Sequence, residues 1–240
     1  MQWLLKITTV GTRSLLAGLL SVAFTGSLVA CVGEPAVMPE PRPGVQSGPR
    51  FELSLEPGPQ YSKDMRIMWY RYTVWPQVAV WLEKPDGTFI STIYVTERVV
   101  TGDYTAAPKQ GRPEALPVWS HLENDDVDAV SSPTTVGSTV KYGNNLAEHL
   151  PAGIYVVKLE TNRSYDWNAV YTKKKSGVNG QPSVLYRAEL EIGDARTEAV
   201  FQPFGTGSIN GGDGATLIGL KGIDTALELF SDMRISFEAY

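Results

Sequence analysis

The chain has 240 residues, of which 10% are aromatic and 20% charged, and its formal net charge is −5. This is globular composition, long enough to close a core, and the acidic balance argues against nucleic-acid binding, since the longest basic run is Lys173-Lys174-Lys175. One cysteine, Cys31, excludes an internal disulfide, and two histidines, His121 and His149, are too few and too far apart for a His/Cys metal motif.

Met1 to Ala30 has the layout of a secretory signal. Lys6 and Arg13 come early, Leu15 to Phe24 is an apolar stretch, and small residues follow. The apolar run is short of the roughly 20 residues of a membrane-spanning helix. Leu28-Val29-Ala30-Cys31 looks like a bacterial lipoprotein box, with Ala30 before the cut and the Cys31 thiol as lipid acceptor. Lys6 and Arg13 are the only charges in this stretch, so its removal takes the formal charge from −5 to −7. Two or three acyl chains anchor durably where one holds weakly. Val32 follows the cysteine where an Asp would suggest inner-membrane retention. This resembles an outer-membrane destination, facing the periplasm, in a Gram-negative host. Val32 to Arg50 carries Pro35, Pro39, Pro41, Pro43 and Pro49 and reads as an extended tether, able to reach roughly 60 Å. The expected division is a signal over 1–30, a lipidated cysteine and tether over 31–50, and one folded domain over 51–240.

Within that domain, Phe51, Leu53 and Leu55 alternate with polar neighbours as a first strand, and Met65 to Val74 reads as a second. Val78 to Val95 is a hairpin. Val78, Val80 and Leu82 share one face, Ala79 and Trp81 the other, and Pro85-Asp86-Gly87 turns the chain. From Thr96 to Asp126 only Leu116 to Leu122 is apolar, and Asp128 to Asn145 reads as loop. Ile154 to Thr161 is a strand. A polar connection, Asn162 to Pro182, leads to Ser183–Ile192, the cleanest alternating strand in the chain. Glu198 to Phe204 and Thr216 to Leu220 are shorter strands. Thr225 and Glu228 have capping-box spacing, which predicts a short helix to Phe230. Met233, Ile235 and Phe237 alternate in a last strand. Many short strands and almost no helix predict an all-β antiparallel sandwich with long loops and one short C-terminal helix.

VAVWLEKPDGTFISTIYV, then RPEALPVWSHL and VDAVSSPT, then LPAGIYVVKLET resemble domain of unknown function 2271, a family of predicted periplasmic proteins. The hairpin and the Pro-Ala-Gly-x-Tyr strand also resemble the immunoglobulin-like domain of flagellar hook-capping proteins. The resemblance spans about Met65 to Ile192. It implies an immunoglobulin-like sandwich in an extracytoplasmic setting and carries no established activity.

Several stretches are candidates for chemistry. Asp128, Ser131 and Thr134 match a D-x-x-S/T-G-A-T motif at which flavin transferases attach FMN, making Thr134 the acceptor. Ser132 and Pro133 stand where that motif has Gly and Ala, and Pro133 stiffens the turn. Glu123, Asp125, Asp126 and Asp128 are oxygen ligands at short spacing but lack the EF-hand pattern. Gly205 to Gly214 lacks a phosphate-loop context and reads as a wide turn. There is no G-x-S-x-G elbow, and His121 or His149 would need a serine brought to it by the fold. Trp69, Trp75, Trp81, Trp119 and Trp167 suit a sandwich core better than a ligand groove. Asn162-Arg163-Ser164 fits a glycosylation pattern that a bacterial lipoprotein would not use. The expected function is a membrane-anchored extracytoplasmic lipoprotein without catalytic activity, metal or cofactor. It would be a binding or structural module with a protein or small ligand as partner, not nucleic acid. The alternative is a redox accessory carrying FMN on Thr134.

Overall fold

The computed structural model describes residues 48–101, 112–122, 130–132, 139–142 and 146–239. The strands are β1 (Arg50–Pro57), β2 (Lys63–Ile67), β3 (Tyr70–Val74), β4 (Gln77–Glu83), β5 (Phe89–Thr96), β6 (Val130–Ser132), β7 (Thr139–Tyr142), β8 (Gly153–Asn162), β9 (Val184–Ile192), β10 (Thr197–Val200), β11 (Gln202–Thr206), β12 (Leu217–Ile218) and β13 (Phe230–Glu238). Among the described residues, four short α-helices interrupt them: α1 (Glu97–Thr101), α2 (Pro117–Ser120), α3 (Leu146–His149) and α4 (Lys173–Ser176).

The fold is the expected all-β sandwich. One sheet has the order β10-β13-β1-β7 and the other β12-β11-β9-β8-β4-β5-β6, while β2 and β3 form a separate two-stranded hairpin. Pairing is antiparallel except between β5 and β6. Strand periodicity explains which side chains meet. Phe51 and Leu53 of β1 and Ile235 and Phe237 of β13 face Val78, Val80 and Leu82 of β4, Val157 and Leu159 of β8 and Leu190 of β9 in the principal core. The other face of β4 carries Ala79 and Trp81 into a second cluster with Val95, Leu185, Leu116, Val118 and Trp119. Because the segment around α2 covers the outer face there, every residue of β4 is buried.

Five sequence expectations need correction. Met65 to Val74 is not one strand but the hairpin β2–β3, which turns at Met68 and Trp69 with Met68 at φ 55°. None of the usual turn residues marks that reversal. Asp128 to Asn145 is not all loop. It contributes β6 to the edge of the larger sheet and β7 beside β1. Strands of three and four residues are too short to show a period. Glu198 to Phe204 divides at Phe201: β10 pairs with β13 in one sheet and β11 with β9 in the other. Thr216 to Leu220 shrinks to the two-residue β12. The C-terminal helix is a 3₁₀ turn, Thr225–Glu228, and its cap is Asp224, which accepts from the Thr225 N–H at 2.6 Å. Leu229 (fully buried) and Phe230 then enter the core at the start of β13, which leaves no room for another helical turn.

Candidate functional site

Two polar constructions lie inside or against this sandwich. The first belongs to the scaffold. Glu160 of β8 is fully buried and accepts from the backbone N–H of Trp119 at 2.8 Å, that of Val118 at 3.2 Å and the Ser183 hydroxyl at 2.6 Å. It therefore satisfies the orphan donors at the start of α2 and fixes the cover over the second cluster. Burial pushes its carboxyl up to about 7, against the lowering effect of those hydrogen bonds. Further along the same strand pair, Glu83 of β4 is also buried, accepting from the Trp81 indole at 2.7 Å and pairing with Lys158 at 2.8 Å. The Gly-rich loop after β11 crosses the same cover. At Gly211 a Cβ would lie 2.3 Å from the Cα of Glu114, so close backbone approach explains the glycine.

The second construction reaches the surface. It is built on the connection between β8 and β9, which composition alone made look like solvent-exposed loop. Arg163, with a side chain only 2% exposed, donates to Asp166 Oδ1 at 2.7 Å. Asp166 also accepts from Gln181 Nε2 at 3.0 Å and from the Thr225 hydroxyl at 2.9 Å. Arg163 Nη1 donates to the carbonyl of Gln60 at the approach to β2. A desolvated ion pair needs this many partners to be tolerated, and together they pin the connection to the hairpin base and to the C-terminal 3₁₀ turn. Asn162 is buried with its amide donating to the Gln181 carbonyl at 2.8 Å, so the Asn162-Arg163-Ser164 sequon is closed in the folded protein.

From that buried footing the connection presents rings and cations. Tyr165 adopts φ 64° and its carbonyl accepts from Lys63 Nζ of β2 at 2.7 Å. Its ring meets Tyr72 of β3 edge-on at 6.4 Å and Trp167 at 5.6 Å. The Trp167 indole N–H donates to the Gly177 carbonyl at 2.7 Å, which fixes the ring. Two ammonium groups lie over that ring, Lys63 at 5.8 Å and Lys173 of α4 at 5.6 Å from its centroid. Lys175 sits 4.9 Å from the Tyr171 centroid. These are cation–π distances. Loss of hydration, then the hydrogen bond and charge of Tyr165, push the Tyr72 phenol up to about 12. A pocket of about 300 Å³ borders the hairpin, lined by Asp64, Met65, Arg66, Arg71, Tyr72 and Thr73. The arrangement offers neutral ring faces and fixed positive charge, a contact chemistry.

The fold separates the residues singled out from sequence. His121 is exposed at the end of α2, and its Nδ1 lies 2.7 Å from the Pro117 carbonyl. A ring nitrogen facing a carbonyl is the protonated one, so Nδ1 does not act as a base toward Ser120 Oγ, 3.4 Å away. His149 is exposed at the end of α3. Trp81 and Trp119 are core residues, as expected, but Trp69 is exposed and Trp167 belongs to the cationic face. Cys31, Thr134 and the acidic residues Glu123, Asp125, Asp126 and Asp128 lie outside the described residues. Among the described residues no helix is long and apolar enough to cross a membrane, and no three His, Cys, Asp or Glu side chains form a metal-binding group. Sequence reasoning missed the cationic face because its residues are split between two stretches about a hundred residues apart. The available signal was three aromatic residues beside three lysines in a connection otherwise read as solvent-exposed. No family model, curated protein or solved structure matches the chain, so the likeness over Met65–Ile192 rests on the motifs that carry it.

Proposed function

We propose that this protein is a membrane-anchored extracytoplasmic lipoprotein whose sandwich domain is a non-enzymatic binding module. Lipid on Cys31 holds it to the membrane, the proline-rich segment spaces it, and the face around Trp167 meets a protein or small ligand. The periplasmic side of an outer membrane and the immunoglobulin-like refinement of the sandwich belong to the same proposal. The observation that carries the binding reading is Trp167 itself. A partly exposed ring flanked by two cations, and footed on a buried ion pair, is an organised surface that core packing does not require.

Mass spectrometry of the N-terminal peptide from a bacterial host tests the anchor. The expected product begins at Cys31 with diacylglycerol on its sulfur, and Cys31→Ser leaves carbonate-washed membranes. An unmodified Cys31 overturns the anchor. A reproducible turnover abolished by substituting His121 or His149 overturns the non-enzymatic reading.

A further inference from the structure

The β2–β3 hairpin hydrogen-bonds into neither large sheet. Its turn consists of Met68, 72% exposed, and Trp69, 82% exposed. A hairpin turn with positive φ at its first central residue favours glycine, yet here it carries a methionine. Immediately behind the tip, Ile67 pairs with Tyr70, and the next pair is Arg66 opposite Arg71. Like charges directly opposite in an antiparallel pair repel. Both arginines are exposed, and among the described residues neither forms an ion pair with a carboxylate. Further positive charge lies at the base of the hairpin. Lys63 of β2 and Lys173 of α4 share the Trp167 ring, and Lys174 and Lys175 are exposed beside Lys173. An acidic chain thus carries two cations just behind an apolar hairpin tip and, at the base of the same hairpin, Lys63 with the three lysines of α4.

We propose that this hairpin docks on a bilayer containing anionic phospholipid, with Met68 and Trp69 entering the boundary between headgroups and acyl chains and Arg66 and Arg71 meeting the phosphates. The order along the hairpin selects this occupant. Indole and thioether groups stand at the extreme end, and guanidinium groups stand two ladder positions behind, level with the headgroups once the tip has entered. Acidic headgroups relieve the repulsion between the paired arginines, and the lysines of α4 lie in reach of the same surface potential. A soluble anion would need the cations but would leave Met68 and Trp69 in water. Lipid on Cys31 would keep the tip near a membrane at high effective concentration, so a weak contact suffices to lay the domain down. In this respect the inference rests on the proposed lipid anchor and goes beyond the binding reading.

The test uses residues Val45–Tyr240, which form one compact unit containing the buried core from Phe51 to Ala239. This fragment lacks Cys31. It is sedimented with vesicles of phosphatidylcholine alone or with about a third phosphatidylglycerol at low ionic strength. The expected result is binding to anionic vesicles roughly tenfold or more tighter than to neutral ones, weakening steeply with salt. Trp69→Ser weakens it by about fivefold or more. Arg66→Gln with Arg71→Gln brings anionic and neutral vesicles to within about twofold. In the unsubstituted fragment, brominated acyl chains quench tryptophan emission, and Trp69→Phe removes that quenching, a readout that needs no change in affinity. Equal partitioning between the two vesicle types, unaltered binding by the Trp69 or double arginine variants, or absence of bromolipid quenching overturns the proposal. So does displacement by soluble glycerol phosphate at constant ionic strength, which would assign the cations to a free phosphate. Failure here leaves the Cys31 acylation result standing, and an unmodified Cys31 leaves the vesicle result standing.

Discussion

Trp81 in β4 is fully buried with its indole N–H on Glu83, whereas Trp69, in the turn between β2 and β3, is 82% exposed. The two hairpins follow each other in the chain, yet they obey different constraints. β4 is covered on both faces, so its side chains are fixed by packing and its turn uses Gly87, at φ 88°, where positive φ is needed. β2–β3 has no such cover. Its turn places Met68 in the same left-handed region without glycine's freedom, and its exposed ring faces away from any core. Where packing fixes a residue, the physics concerns stability. Where it does not, an apolar residue held in an unfavourable turn points to something outside the molecule.

The largest effect should separate the two tryptophans. Trp81→Ala opens a cavity in the second cluster and strips Glu83 of one donor, so it should destabilise the domain by about 3–5 kcal/mol in urea unfolding. A loss near zero would break the contrast on its buried side. Next comes Glu160, which fixes the Trp119 cover. Its folded carboxyl is raised from 4.5 to about 7, so the fold binds that proton more tightly than the unfolded chain does. The stability it supplies is complete below the ordinary carboxylate range and is lost as pH climbs through about 7. Relative to Glu160→Gln, the native protein should therefore lose on the order of 1–3 kcal/mol between about pH 5 and pH 8, read from paired melts. An identical pH profile in the variant would show that Glu160 is no such lever. Smaller and opposite in sign are two turn substitutions. Gly87→Ala, with nothing near its Cβ, should cost about 1 kcal/mol from backbone alone, while Met68→Gly should gain about 1 kcal/mol. If both destabilise, the Met68 turn is held by contacts that its exposure does not suggest. Smallest of all, Trp69→Ser should change unfolding stability by less than about 0.5 kcal/mol. A larger loss would make Trp69 a packing residue like Trp81.

The buried half of this molecule was the legible half. In β4, β8, β9 and β13 every second side chain enters the core, and a period of two can be read directly from Val78-Val80-Leu82 or Tyr186-Ala188-Leu190. The exposed half obeys no such period. The β2–β3 reversal hides behind Met68-Trp69 because neither residue is a turn former. β6 and β7 are recruited by edges already present, β5 and β1, and so need no pattern of their own. The connection after β8 misled for a different reason. Arg163, Asp166 and Gln181 look solvated one by one, and only their mutual pairing makes burial tolerable. Pairing between residues 15 apart across a loop leaves no periodic trace. The face around Trp167 was therefore readable as an excess of rings and lysines, but not as a site joined to Lys63 and Tyr72.

Phe201 stands between β10 in the four-stranded sheet and β11 in the seven-stranded one, buried, with its N–H donating to the Met233 carbonyl at 3.0 Å. A single residue thus sets the phase of the chain in both layers at once. Inserting or deleting one residue there would keep either strand in step only by turning the other's inward side chains outward. Among the described segments joining the layers, this junction has the least slack for changes in length.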